Sequence, residues 1–119
     1  MQELQPLISP SLYKNKKVFD HEIVYEITTQ KDGLPFGIAI ADIEQSAPHY
    51  HKKTVETYTG VQGDLEVKIG DEVHILHPGE VVQIPRGTVH SARSLGVDPA
   101  RITVTTVPEW SAEDHFLVE

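Results

Sequence analysis

Short runs of β-branched residues recur along this chain between glycine, proline and aspartate, and no long stretch repeats apolar residues at helical spacing. Because this pattern is typical of strands separated by turns, it predicts an all-β sandwich or barrel. The predicted strands are Lys17 to Thr29, Phe36 to Glu44, His49 to His51, Val55 to Val61, Leu65 to Ile69, Val73 to Leu76, Val81 to Ile84, Val89 to Ser94 and Arg101 to Val107.

One hairpin is marked clearly. Apolar and charged residues alternate on both sides of Gly70-Asp71, a dipeptide typical of two-residue hairpin turns. We therefore expect every apolar side chain of the hairpin to face the core and the charged side chains to face water. The expected inward set is Leu65, Val67, Ile69, Val73 and Ile75.

The length of 119 residues predicts a single domain, which we place at residues 17–119. The first sixteen residues form an N-terminal arm with two prolines and little pattern. We expect the arm to be disordered or to order as a strap against a partner subunit. The tail from Pro108 to Glu119 carries Trp110, His115 and Phe116, enough apolar surface to pack as a short cap.

Composition narrows the classes of function. A formal net charge of -8 argues against general binding of nucleic acid, because phosphates would be repelled. The chain has no cysteine, so a metal could be held only by His, Asp, Glu and the backbone. The start of the chain does not resemble a signal peptide, and the apolar run from Phe36 to Ala41 is too short to span a bilayer. We expect a soluble, cytoplasmic protein that does not bind membranes.

Two short runs carry the candidate chemistry. His49 and His51 share one face of a predicted strand, about 6.6 Å apart along it. A turn after His51 would bring the carboxylate of Glu56 back on the neighbouring strand. His90 begins a later strand, just after a proline and a glycine at the turn. In a barrel, these three imidazoles and one carboxylate could converge on a single cation.

These residues resemble the two motifs of the cupin superfamily. The first motif is matched by His49, His51, Glu56 and Gly63, and the second by Gly79, Pro85, Gly87 and His90, with fifteen residues between Gly63 and Gly79. Ile43 and Ser94 depart from the pattern, where the family has glycine and asparagine, and neither is a ligand position. The resemblance implies a small jelly-roll β-barrel (a double-stranded β-helix), a metal centre at the four-residue set and a homodimer.

Other polar residues keep two interpretations. Tyr58 shares a face with Glu56, so it either lines the cavity or packs in the core as an aromatic residue. Arg86 would attract an anionic substrate or be a solvated loop charge. The face formed by Arg101, Thr103 and Thr105 is either outer surface or cavity wall. The histidines interpreted as structural or surface residues are His21, His74, His77 and His115.

Three imidazoles and a carboxylate leave one or two open positions on a six-coordinate ion, which favours Fe, Mn or Ni, with zinc as a further candidate. The leading hypothesis is a metal-dependent enzyme acting on a dicarbonyl, enediol or hydroxy acid. The resemblance admits oxygenase, isomerase and epimerase chemistry, with Glu56 or Tyr58 moving a proton in an isomerase.

The alternative is a non-catalytic, metal-stabilised module that binds a sugar or small acid. A transcriptional sensor is a weaker variant, because no helix-turn-helix segment accompanies the barrel.

Overall fold

The protein folds as two antiparallel β-sheets, which confirms the predicted all-β jelly-roll class. The structure is a computed structural model that describes residues 1–118, so Glu119, the last residue of the predicted domain and tail, lies outside it. No helix within residues 1–118 is long and apolar enough to cross a membrane. The strands are β1 (Asn15–Val18), β2 (Glu22–Glu26), β3 (Gly37–Ile43), β4 (Gln45–Tyr50), β5 (Val55–Gln62), β6 (Leu65–Ile69), β7 (Glu72–Leu76), β8 (Val81–Ile84), β9 (His90–Ser94), β10 (Ala100–Val107) and β11 (Phe116–Leu117).

The chain passes repeatedly between the two sheets. The first sheet has the strand order β1-β2-β3-β10-β5-β8, and the second has the order β11-β4-β9-β6-β7. Apolar side chains of both sheets form one buried cluster, because each strand turns alternate residues inward. The fully buried members of this cluster are Leu65, Val67, Ile84, Ala100 and Ile102.

The prediction of a single strand from Lys17 to Thr29 is wrong. This segment contains the end of β1 and all of β2, which pair antiparallel with Asn15 opposite Glu26. The amide of Phe19 donates to the carbonyl of Glu22 at 2.8 Å and closes the turn between them. No glycine or proline marks that turn, so the sequence pattern runs through it. From β3 onward, the predicted strands are found with ends shifted by at most four residues.

The predicted hairpin is present, but its second strand faces the other way. β6 begins and ends as expected, and Gly70 has the left-handed φ of 58° that the turn requires. The turn pairs Ile69 with Glu72, so Leu65 faces Leu76 across the hairpin. Val73 and Ile75 therefore lie on the outer face, 55% and 42% exposed, and their predicted inward orientation is wrong.

The predicted N-terminal arm packs on its own chain. Leu4 is 6% exposed, and the ring of Tyr13 meets the ring of Tyr25 edge-on at 5.1 Å. The arm therefore packs within its own subunit and is not the disordered segment that was one expectation. Contact of the arm with a partner subunit stays a prediction. β1 begins inside the predicted arm, at Asn15.

A buried ion pair lies between the arm and the first sheet. Arg101 of β10 pairs directly with Asp42 of β3, and its Nε and Nη2 donate to the carboxylate at 2.6 and 2.9 Å. Its Nη1 also donates to the backbone carbonyl of Pro6 at 2.7 Å, and Nη2 reaches that of Leu4 at 3.4 Å. Arg101 is 3% and Asp42 0% exposed, so the arm covers this face of β10 at Arg101. Arg101, Thr103 and Thr105 are not among the residues that line the cavity.

Candidate metal centre

Four buried side chains from both sheets converge at one point. His49, His51, Glu56 and His90 each offer a ligand atom, and these atoms lie within 4.8 Å of one another. Glu56 Oε1 is 2.9 Å from His90 Nε2 and 3.1 Å from His51 Nε2. The structure thus brings together the four residues predicted from the sequence to form a metal centre.

The strand pairing explains how the four residues meet. His49 of β4 lies directly opposite His90 of β9, next to an irregularity in the pairing of β4 with β9. His51 follows the end of β4, in the connection that crosses to the other sheet. Glu56 lies on β5 in that other sheet, so the expectation that it returns on a neighbouring strand is wrong. Residues 52–54 form a crossover between sheets and do not form a hairpin.

Each imidazole is held by a backbone carbonyl. The Nδ1 atoms of His49, His51 and His90 lie 2.7, 2.6 and 3.0 Å from carbonyl oxygens. A carbonyl only accepts hydrogen bonds, so Nδ1 carries the proton in all three rings and Nε2 keeps its lone pair unless a second proton is added. The three acceptors are the carbonyls of Ala47, Asp114 and Thr88.

The Nε2 atom of one of the three imidazoles lacks a hydrogen-bond partner in the described part of the chain. His51 Nε2 is buried and has no hydrogen bond within residues 1–118, because its 3.1 Å approach to Glu56 does not have hydrogen-bond geometry. A buried polar atom without a partner destabilises a folded protein. A cation at this point would satisfy it, so the residues fit a divalent metal.

The charges of the site also suit a cation. Burial, with repulsion from His90, lowers the pKa of His49 to about 4, so this ring is neutral at pH 7. Burial acts to raise the pKa of Glu56, but contacts with His51 and His90 outweigh it and lower that pKa to about 2. Burial likewise opposes the charged form of His51, but the nearby Glu56 carboxylate raises the pKa of this histidine. The site therefore holds a carboxylate that attracts a cation or a proton.

A cavity of about 580 Å³ opens beside the four residues, and β2, β3 and β10 form part of its walls. Tyr58 lines this cavity and also belongs to the apolar cluster, so its two sequence-based interpretations hold together. Burial, together with the charge of Glu56, raises the pKa of Tyr58 well above its usual range. Arg86 is exposed and is not among the residues that line the cavity.

The tail contributes two residues that the sequence did not indicate as part of the site. Besides accepting from His51 through its carbonyl, Asp114 accepts the backbone amides of Lys52 and Lys53 on its carboxylate, at 2.8 and 3.0 Å. The ring of His115, predicted as structural, stacks on His49 at 4.6 Å between centroids and lines the cavity. These residues lie about sixty positions after His51, so no local spacing connects them with the motif; the aromatic residues of the tail were the only available signal.

Replacing Asp114 with alanine is expected to weaken metal binding by about 10–100-fold, the usual effect of losing a group that supports a ligand. The substitution keeps the backbone carbonyl at position 114 but removes the carboxylate that accepts two amides beside His51, so the carbonyl is held less firmly against the ring. Competition titration against a chromogenic chelator measures the change. Glu113→Ala, an exposed neighbour, is the matched control, and equal affinity in the two variants would contradict this supporting role.

Solved structures with the same architecture include proteins with different named activities. A Streptomyces nucleoside dehydratase, Pac13, is 12% identical with a TM-score of 0.76, covering 88% of this chain and 84% of that one. KdgF from Halomonas sp. is 19% identical with a TM-score of 0.71, covering 84% and 90%. Oxalate decarboxylase from Bacillus subtilis is 17% identical with a TM-score of 0.77, covering 87% of this chain and 30% of that one. At these identities the likeness concerns the fold alone.

Sequence comparison assigns the family. No curated protein matches the chain in sequence. The family model for the cupin domain, however, matches residues 39–106, more than half of the chain. This range contains β4 to β9, the four converging side chains and both motifs. The chain therefore belongs to the cupin domain family.

Proposed function

We propose that this protein binds one divalent transition metal through His49, His51, Glu56 and His90 and is a metal-dependent enzyme. The observation that carries the proposal is the common arrangement of the three rings, each with Nδ1–H bound to a carbonyl, around a point where the four ligand atoms lie within 4.8 Å of one another. Fe, Mn and Ni suit this donor set best, with zinc as a further candidate. When bound, the ion supplies Lewis-acid or redox chemistry for an oxygen-rich ligand.

The proposed substrate is a small dicarbonyl, enediol or hydroxy acid, converted by an oxygenase, isomerase or epimerase reaction. The cavity volume of about 580 Å³ is in the usual range for small-molecule sites. Both apolar residues, such as Val24 and Val104, and carboxylates line it. The named activities of the similar structures, a nucleoside dehydratase and an oxalate decarboxylase, differ, so the walls of the cavity and not the fold select the substrate.

Different residues of the chain have different proposed roles at the site. The imidazoles and Glu56 hold the ion, and Asp114 keeps His51 oriented through its carbonyl. Because Tyr58 keeps its proton at neutral pH, its hydroxyl is a hydrogen-bond donor for a substrate oxygen in the cavity. Glu56 or Tyr58 as the group that moves a proton stays a prediction from the sequence.

A turnover screen tests the enzyme proposal. Metal-loaded protein is incubated with panels of dicarbonyls, α-hydroxyketones and hydroxy acids while oxygen uptake and products are followed by electrode and NMR. Conversion by the parent, absent from a variant with His49→Ala and His51→Ala, is expected. Tight binding without turnover across the panels would favour the non-catalytic binding module and overturn the enzyme proposal.

A further inference from the structure

Glu22 faces the same cavity as the metal centre. It begins β2, whose residues alternate between two environments. Ile23 and Tyr25 are buried on the face covered by the arm, whereas Glu22, Val24 and Glu26 line the cavity. The alternation of β2 therefore places a carboxyl group in the wall of the predicted substrate site.

Within residues 1–118, the Glu22 side chain has no hydrogen-bond or ion-pair partner, although it is half-buried. The other glutamates around the cavity are engaged. Glu26 pairs with Lys17 at 2.7 Å, Glu109 accepts from Thr28 at 3.3 Å, and Glu56 contacts two histidines. The oxygens of Glu22 are thus free to contact a ligand.

Burial raises the pKa of Glu22 to about 7, and the charge of Glu56 adds to the effect. A group with such a pKa gives and takes protons equally well near neutral pH. Glu56 is committed to His51 and His90, and Tyr58 is packed in the apolar cluster. Neither residue is as free as Glu22 to carry a proton to and from a ligand.

We propose that Glu22 is the catalytic acid and base that exchanges a proton with a carbonyl substrate bound beside His49, His51, Glu56 and His90. The inference rests on the proposed function. The Glu22 carboxylate takes the proton from the carbon next to the carbonyl. The electron pair of that C–H bond forms a C=C bond, and the π pair of the carbonyl moves onto its oxygen, which gives an enolate, or an enediolate when that carbon carries a hydroxyl. The reverse electron flow returns the proton to carbon and regenerates the carboxylate, so no oxidant or reductant is needed.

Other ionisable groups face this cavity and must be separated from Glu22 in any pH experiment. Lys17 and Glu26 form an ion pair, and the remaining groups come from several elements of both sheets and from the tail. They are Asp20, His21, His49, His51, Glu56, Tyr58, Glu109 and His115. Comparing variants that differ only at position 22 cancels their contributions.

The test uses protein loaded with Ni²⁺ and acetohydroxamate, a chelating oxyanion that imitates an enediolate. If Glu22 must be protonated beside the bound anion, the parent binds the probe more weakly as the pH rises, whereas Glu22→Gln carries no such requirement. The Kd of the parent divided by that of Glu22→Gln is expected to rise with pH, by up to about tenfold per pH unit where Glu22 is ionised before the probe binds, because the group must then take up a proton. Calorimetry measures both constants.

Glu26→Gln, on the same face of the same strand, is the matched control. The Kd of the parent divided by that of Glu26→Gln should not change with pH. Glu22→Ala, which also lacks the titrating group, should reproduce the altered pH dependence if the Gln variant folds poorly. If the Kd of the parent divided by that of the variant does not vary with pH for either Glu22 variant, the proposed role of Glu22 is overturned, but the proposed function is not. Failure of the parent to take up Ni²⁺ would overturn the proposed function itself, and this inference with it.

Discussion

Replacing Arg101 with methionine is expected to lower the free energy of unfolding by about 3–5 kcal/mol, the usual loss when one partner of a buried ion pair is removed. The variant leaves the Asp42 carboxylate at 0% exposure without its bidentate partner. It also removes the donors that hold the carbonyls of Leu4 and Pro6, so the arm loses these two hydrogen bonds. Urea unfolding of both proteins at equal, metal-free conditions measures the difference.

A second arginine offers the control. Arg93 makes a bidentate pair with Glu66 in the other sheet, at 3.1 and 3.0 Å, but its side chain is 61% exposed. Arg93→Met should therefore lower stability by less than about 1 kcal/mol. A double variant with Asp42→Leu and Arg101→Met should recover part of the loss, because no unpaired charge remains buried. Similar losses for Arg93→Met and Arg101→Met would contradict the importance of burial.

Combining His49→Ala with His51→Ala is expected to reduce bound metal from near one equivalent to a trace, because half of the proposed ligand set is removed. Elemental analysis of protein purified without chelator measures the metal content. In the parent, Ni²⁺ at a hundred times its Kd should raise the free energy of unfolding by about 2.7 kcal/mol, whereas the variant should gain nothing. A double variant with His74→Ala and His77→Ala, which removes two histidines outside the cluster, should behave like the parent.

The affinity of the proposed site for a metal has a predictable pH dependence. The pKa of His51 is raised above 6.5 in the folded protein, so protons compete for its nitrogen as the pH falls through that range. His49, with a pKa of about 4, stays neutral and available over the same interval. Metal affinity should therefore fall about tenfold per pH unit once His51 takes up its proton. Constant affinity from pH 8 to pH 5.5 would argue against imidazole ligation.

Much of the fold could be predicted because alternation and turn residues are local properties. Strands β3 to β10 were predicted, whereas β11 was not. The facing of β7 was wrong, although it follows from counting across a two-residue turn. Pairing Ile69 with Glu72 forces Leu76, and not Ile75, to face inward. The turn between β1 and β2 was missed because no glycine or proline marks it, and Asp20 alone, between Phe19 and His21, has a turn preference.

The four converging side chains could be predicted from the spacing within each motif, whereas the residues around them could not. Asp114 reaches His51 only because β11 pairs with β4, a contact between distant parts of the chain. Glu22 was missed for another reason: its strand alternates charged and apolar residues in the usual way, but the arm covers the apolar face. The charged face, which the pattern would assign to water, lines the cavity.

Because β11 pairs with β4, the tail both lines the cavity and supports His51. β11 has only two residues, yet it places Leu117 in the cavity wall, and the segment just before it supplies Asp114 to His51 and His115 to the same wall. Any movement of the tail that enlarged the cavity at this wall would also withdraw the carbonyl that orients His51. Admission of bulky ligands and retention of the metal are therefore opposed demands on the same segment, which ties the size of acceptable substrates to how firmly the ion is held.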